Sequence, residues 1–339
     1  MTSARTTPLR RMAVALTTLT MLNLAACGGG GGSDAPAPTS PDTAQRTQAA
    51  TATAANNSNC VAVKPFYWEI GDKAGLMASG SVYGTGSLLT YNASTVMNIA
   101  SASKWLYGAY VVERRGAAGL SASDIKFMNF RSGYTSFTSC SPTQTVGSCV
   151  AASTNGVYTS ASDGKFLYDG GHMQVHASLM GLDALDNSTL ANEIKTQLGS
   201  DIDMSYSQPQ LAGGVRTNAE SYARYLRKLL NGQLRMGAAL GSSPVCTNPL
   251  TCNGTALGTP IPTNESWQYS IGHWVETDPT VGDGSFSSAG AFGFYPWVDA
   301  NKRYYGIVAR QDFLNAAAGV ASASCGRLIR KAWVTGTAQ

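Results

Sequence analysis

Ser101 and Lys104 stand three positions apart in the run Asn98-Ile99-Ala100-Ser101-Ala102-Ser103-Lys104-Trp105-Leu106-Tyr107-Gly108-Ala109-Tyr110-Val111-Val112-Glu113. On a helix this spacing puts both side chains on one face, where an amine can reach a hydroxyl. A serine hydroxyl is a weak nucleophile at neutral pH, and an amine kept uncharged by burial can take its proton as the attack begins. The residues after Lys104 (Trp105, Leu106, Ala109, Tyr110, Val111) suit a buried helix able to desolvate that amine. Ser101 is therefore the candidate nucleophile and acylation site. The same spacing recurs at Ser123–Lys126 and Ser162–Lys165. Asp163-Gly164 inside the last copy signals a turn, and the middle copy is followed by too short an apolar run for a core helix. Only the first copy opens a long apolar helix.

The elements around this helix follow from periodicity and turn chemistry. Val63 to Ile70 is aromatic and branched, Gly71-Asp72-Lys73-Ala74-Gly75 turns, and Leu76 to Tyr83 returns, which predicts antiparallel strands. Ser121 to Val157 is rich in Gly, Ser and Thr and could cover a cleft. Tyr168 precedes a helical pattern from Met173 to Gly181, and Ala219 to Leu230 is an amphipathic helix stopped by Asn231-Gly232, with Tyr222, Tyr225, Leu226, Leu229 and Leu230 as its buried stripe. Trp267 to Val275, Ala289 to Val298 and Arg303 to Arg310 read as three strands, with Asp299-Ala300-Asn301-Lys302 turning between the last two. A small-residue helix, Ala316 to Val334, closes the chain. Strands at both ends and helices between predict an α+β fold of two lobes: an antiparallel sheet built from both ends and flanked by helices, plus a mainly helical lobe.

The first 59 residues read differently. Arg5, Arg10 and Arg11 precede an apolar stretch from Met12 to Leu24 and the sequence Leu24-Ala25-Ala26-Cys27-Gly28, the pattern of an export signal too short to stay as a membrane span. Leu-Ala-Ala-Cys resembles the bacterial lipobox, which implies cleavage after residue 26 and a lipid on Cys27. Gly28 in place of an aspartate favours the outer membrane, facing the periplasm or cell surface. Residues 27–59, rich in Gly, Ala, Pro, Thr and Ser, read as a disordered tether, and residues 60–335 as the folded domain. The formal charge of +4 falls to +1 without the leader's three arginines, so nothing favours a nucleic-acid partner, and the membrane is met through the anchor only. Six cysteines remain after Cys27, and in an exported chain they suggest disulfides, for which fifteen pairings exist. Proximity favours Cys140–Cys149 and Cys246–Cys252, leaving Cys60–Cys325 to tie the first strand to the last helix. There is no C-x-x-C, and although His172 and His176 have zinc spacing, Met173 stands where the usual glutamate would be. No metal and no cofactor are expected. No G-x-S-x-G occurs, so a nucleophile elbow of the α/β-hydrolase kind is unsupported.

Three pieces in order, Ser101-Ala102-Ser103-Lys104, Tyr168-Asp169-Gly170 and Ser288-Ala289-Gly290, resemble the motifs of the penicillin-recognising serine hydrolases: class C β-lactamases, D-alanyl-D-alanine carboxypeptidases, carboxylesterases and nylon-oligomer hydrolases. The Ala212-Gly213-Gly214-Val215 entry to the Ala219 helix is similar as well. The resemblance implies a β-lactamase-like fold, attack by Ser101, a proton path through Lys104, and Tyr168 as base and then as acid to the leaving group. It also implies an oxyanion hole from the backbone N–H groups of Ser101 and Ala291, with Gly170, Ser288, Ala289 and Gly290 lining the substrate. Two departures bear on the substrate. Gly170 stands where the family often has Asn, and Ser288-Ala289 replaces a cation and a hydroxyl that would grip a substrate carboxylate. Losing a charge-assisted hydrogen bond of roughly 1.5–3 kcal/mol costs about one to two orders of magnitude in binding. Esters or small neutral amides are therefore expected over β-lactams. The alternatives are a carboxypeptidase or weak β-lactamase, and a lipoprotein that binds a ligand without catalysis.

Overall fold

The computed structural model describes residues 40–86 and 88–339. The leader, Cys27 and the start of the expected tether lie outside the described residues. The sheet that frames the fold has eight strands: β1 (Phe66–Asp72), β2 (Leu76–Val82), β3 (Val245–Cys246), β4 (Gln268–Tyr269), β5 (Trp274–Val275), β6 (Phe286–Ser287), β7 (Tyr295–Val298) and β8 (Tyr304–Ala309). Their order is β2-β1-β8-β7-β6-β5-β4-β3, and every neighbour is antiparallel. As expected, the two ends of the chain share this sheet, with Tyr67 opposite Ala309 and Asp72 opposite Tyr304.

Five helices matter for the site: α1 (Thr43–Asn56), α2 (Ser103–Arg115), α3 (Gly171–Leu179), α4 (Ala219–Leu230) and α5 (Ala318–Thr335). Alternation along β8 sends Tyr305 to one face, where Arg227 of α4 bonds its hydroxyl, and Val308 to the other, where it packs beside Gly326 of α5 with Tyr295. Helices thus cover both faces. The α4 prediction is matched at both ends: Asn218 caps it by accepting from the Ser221 N–H, and Gly232, with φ 67°, terminates it. Its stripe is buried except for Leu230, which is only partly covered. Two tyrosines of that stripe also donate to carbonyls at the start of α2, Tyr222 to Ala102 at 2.9 Å and Tyr225 to Trp105 at 3.2 Å.

Several expectations are corrected. The tether prediction fails from residue 43 onward, where the chain forms α1. Alanine is the best helix former, and Asp42 and Gln45 make a capping box. Ala49, Ala50, Thr53 and Ala54 form a small-residue stripe buried on that helix, and Arg46 donates to the Trp333 carbonyl of α5 at 2.7 Å. Low side-chain volume in a sequence suggests little to pack, whereas here it permits close packing. The Trp267–Val275 strand is in fact β4 and β5, joined by a turn at Gly272 (φ 72°). A Cβ on Gly272 would lie 2.5 Å from the Lys104 carbonyl, and one on Gly108 would lie 2.7 Å from that of Ile271, so this glycine pair lets α2 press its backbone against the turn. Of the expected Ala289–Val298 strand only Tyr295–Val298 (β7) forms, and Ala289 and Gly290 lie in the connection from β6. The Ser121–Val157 stretch holds two short capped helices, Ala122–Met128 and Val146–Val150. All three cysteine pairs are disulfides, although Cys60 sits in the helical turn Ser58–Val61 and not in a strand.

Candidate active site

Ser101 lies in a single turn of tighter helix, Ala100–Ala102, directly before α2. The turn is strained, since Ala100 has φ 44°, a left-handed value that alanine rarely adopts. It is held by the Ile99 N–H donating to Val215 O at 3.1 Å and by the buried Ser288 hydroxyl donating to Ser101 O at 3.1 Å. One turn later Lys104 is only 5% exposed, and its Nζ lies 2.9 Å from Ser101 Oγ and 2.8 Å from Ala212 O. Burial pulls this amine down to about 7, and the Asp169 carboxylate opposes the shift only partly.

Tyr168 closes the group from the far side. Lys104 Nζ sits 4.7 Å above the centre of its ring, and Trp274 stacks on it at 5.1 Å. Burial pushes the phenol up to about 12, against the Ser101 and Trp274 side chains, which favour its anion. Of the two groups the amine lies nearer neutrality, and burial favours the protonated phenol, which suits the acid half of the expected base-then-acid role.

Ala291 occupies the turn between β6 and β7. That turn is fixed by the Gly290 N–H donating to Phe294 O, Gly293 to Gly290 O and Asp312 to Phe292 O, while the Ala291 N–H meets no backbone acceptor among the described residues. Ser101 and Ala291 border two cavities. The first, about 380 Å³, is walled by Asn98, Ser207, Gln208, Gln210 and Phe292, and the second, about 140 Å³, by Tyr168, Ile261, Trp274, Ala316 and Val320. Among the described residues, Lys104 is the only charged side chain on either wall.

Among solved structures, the chain is similar to a β-lactamase from Mycobacterium bovis at 13% identity and TM-score 0.54, covering 80% of this chain and 96% of that one. It is similar to a D-stereospecific amidohydrolase from Streptomyces sp. at 12% identity and TM-score 0.54, covering 88% and 100%. A third is the octameric penicillin-binding protein homologue from Pyrococcus abyssi, at 13% identity and TM-score 0.56, covering 88% and 78%. The chain has the β-lactamase-like fold. No family model matches it, and no curated protein matches it by sequence.

On this β-lactamase-like scaffold the remaining expected residues take different places. Ala289 borders the smaller cavity, but Ser288 and Gly290 border neither. The Ser288 hydroxyl is used on the nucleophile's own carbonyl, and Gly290 is needed because a Cβ there would sit 2.1 Å from Ile99 O. Gly170 also borders neither cavity: a Cβ on it would meet the Phe137 ring at 3.0 Å, so that ring fills the space a longer side chain would need. Asp169 braces the segment by accepting from the N–H groups of Gly171 and Phe137 at 2.7 and 3.2 Å.

Sequence reasoning missed the carboxamide wall and the Ala212 carbonyl. The Gly213-Gly214 pair flagged that loop, but nothing local signals that Gln174 holds it, by donating to Pro209 O at 2.9 Å and accepting from the Leu211 N–H at 3.2 Å. The histidines at zinc spacing have both ring nitrogens engaged elsewhere. His172 meets Ser132 Oγ and Leu167 O, while His176 meets Tyr107 OH and Asp124.

Proposed function

We propose that the chain is a serine hydrolase that acylates at Ser101 and acts on esters or small neutral amides. The observation that carries this reading is Lys104: a buried amine near pKa 7, 2.9 Å from a hydroxyl in a cleft. In its neutral form the amine accepts the Ser101 proton as Oγ attacks the substrate carbonyl. The developing oxyanion is stabilised by the N–H groups of Ser101 and Ala291, aided by the start of α2. Tyr168 gives its proton to the leaving group as the carbonyl re-forms, and recovers one from the Lys104 ammonium. Neutral Lys104 then activates water against the acyl-enzyme, and Ser101 Oγ leaves with the proton as the acid departs.

Among the described residues the cleft walls carry no cation besides Lys104, which supports neutral substrates over those bearing a carboxylate beside the scissile bond. Neighbours described as a D-stereospecific amidohydrolase and as EstCE1, a hydrolase with promiscuous acyltransferase activity, support both ester and amide chemistry. A fluorophosphonate probe should leave one adduct, on Ser101, and p-nitrophenyl acetate should turn over faster than nitrocefin. An unlabelled Ser101 would support the non-catalytic binder, and faster nitrocefin hydrolysis the β-lactamase. The proposal extends to an exported, Cys27-anchored protein, supported by the leader pattern and by three disulfides, which belong to oxidising compartments. Mass spectrometry finding an unmodified Cys27 in membrane fractions would remove the anchor.

A further inference from the structure

The two cavities that share Ser101 and Ala291 differ in chemistry as well as size. In the larger, the Gln208 side-chain N–H donates to Gln210 Oε1 at 2.5 Å, and the Asn98 side-chain N–H to Gln311 Oε1 at 3.3 Å. These bonds orient the carboxamides and leave Gln208 Oε1, Gln210 Nε2 and Asn98 Oδ1 without a partner among the described residues. A carboxamide offers an acceptor beside donors, and a peptide-like amide offers the complementary pair. A carboxylate would find no free cation here, since the Lys104 amine is engaged by Ser101 and Ala212. An alkyl chain would cover these polar groups and leave them unpaired. The smaller cavity, about 140 Å³, is lined by Ile261, Trp274 and Val320, which suits a small apolar group.

Tyr168 borders the smaller cavity and not the larger. Its protonated phenol is the donor available to a departing oxygen or nitrogen, so the leaving group belongs on that side and the acyl group on the carboxamide side. The geometry points to a substrate split by polarity: an acyl group bearing a neutral amide, joined to a small apolar leaving group. This division rests on the acyl-enzyme reading above and adds the substrate class to it.

Two ester series test it on the wild-type chain. Ethyl N-acetylglycinate and ethyl pentanoate have acyl chains of equal length. After correction for their alkaline hydrolysis rates, kcat/KM should favour the first by about tenfold or more. Gln210→Leu should bring that ratio towards one. Among N-acetylglycine esters, kcat/KM should hold from methyl to butyl and fall about tenfold by octyl, and Ile261→Ala should move the fall to longer alcohols. A preference for pentanoate, or octyl esters cleaved as fast as butyl, would overturn the division while a fluorophosphonate-labelled Ser101 kept the hydrolase reading intact. An unlabelled, inactive Ser101 would overturn both.

Discussion

Of the three lysines that follow a serine by three residues, Lys104 and Lys126 have opposite surroundings in the structure. Lys104 is buried with no carboxylate in hydrogen-bonding reach, and its pKa falls to about 7. Lys126, on the short helix Ala122–Met128, keeps a side chain 41% exposed and bonds Asp163 at 2.6–2.8 Å. The first has the environment that the proposed general base needs; the second is a surface ion pair worth about 0–1 kcal/mol. Spacing therefore makes the contact, but burial without a counter-ion makes the chemistry. The glycine pair at Gly108 and Gly272 and the tyrosines of α4 press α2 into the interior and so give Lys104 its desolvation.

Predictions that break or sharpen this contrast run from large to small. Lys104→Met should lower kcat/KM for p-nitrophenyl acetate by at least about a thousandfold. Tyr168→Phe should cost about a hundredfold, more with a poor alkoxide leaving group than with nitrophenolate, because only the former needs the proton. In the wild type, log kcat/KM should climb with pH and level off above about 7, as the Lys104 ammonium loses its proton. The same shift has a stability signature. The folded-state pKa lies below the unfolded value, so the unfolded chain binds the extra proton between about 7 and 10.5, and stability attributable to this group rises with pH across that window. Lys104→Met should abolish that rise and raise stability at pH 7 by about 2 kcal/mol, read as a higher urea midpoint. Lys126→Met should change kcat/KM less than about twofold and stability by under about 1 kcal/mol. If it inactivated the protein as Lys104→Met does, the contrast between the two lysines would be void.

The sequence carried part of this. Ser101 and Lys104 were legible because helical spacing is local, and β1, β2 and α4 because their periodicity and stop signals agree. The disulfides were legible because two pairs lie close in sequence. The parts that were not legible depend on distant packing. Alanine-rich α1 has no large side chain to announce burial, and its order comes from α5. Strands of two residues, such as β4, β5 and β6, are too short to show alternation. The order of pKa values between Lys104 and Tyr168 depends on how much water each has lost, and the carboxamides of Asn98, Gln208 and Gln210 meet only when separate loops fold together.

The contact between Lys104 and the Ala212 carbonyl carries one more consequence. A peptide oxygen accepts from the neutral amine and, more strongly, from the ammonium, so in the proposed cycle this tie survives both charge states of the nitrogen. The nitrogen can gain and lose charge without changing address, and each turnover begins from the same starting geometry with no side-chain search to repeat.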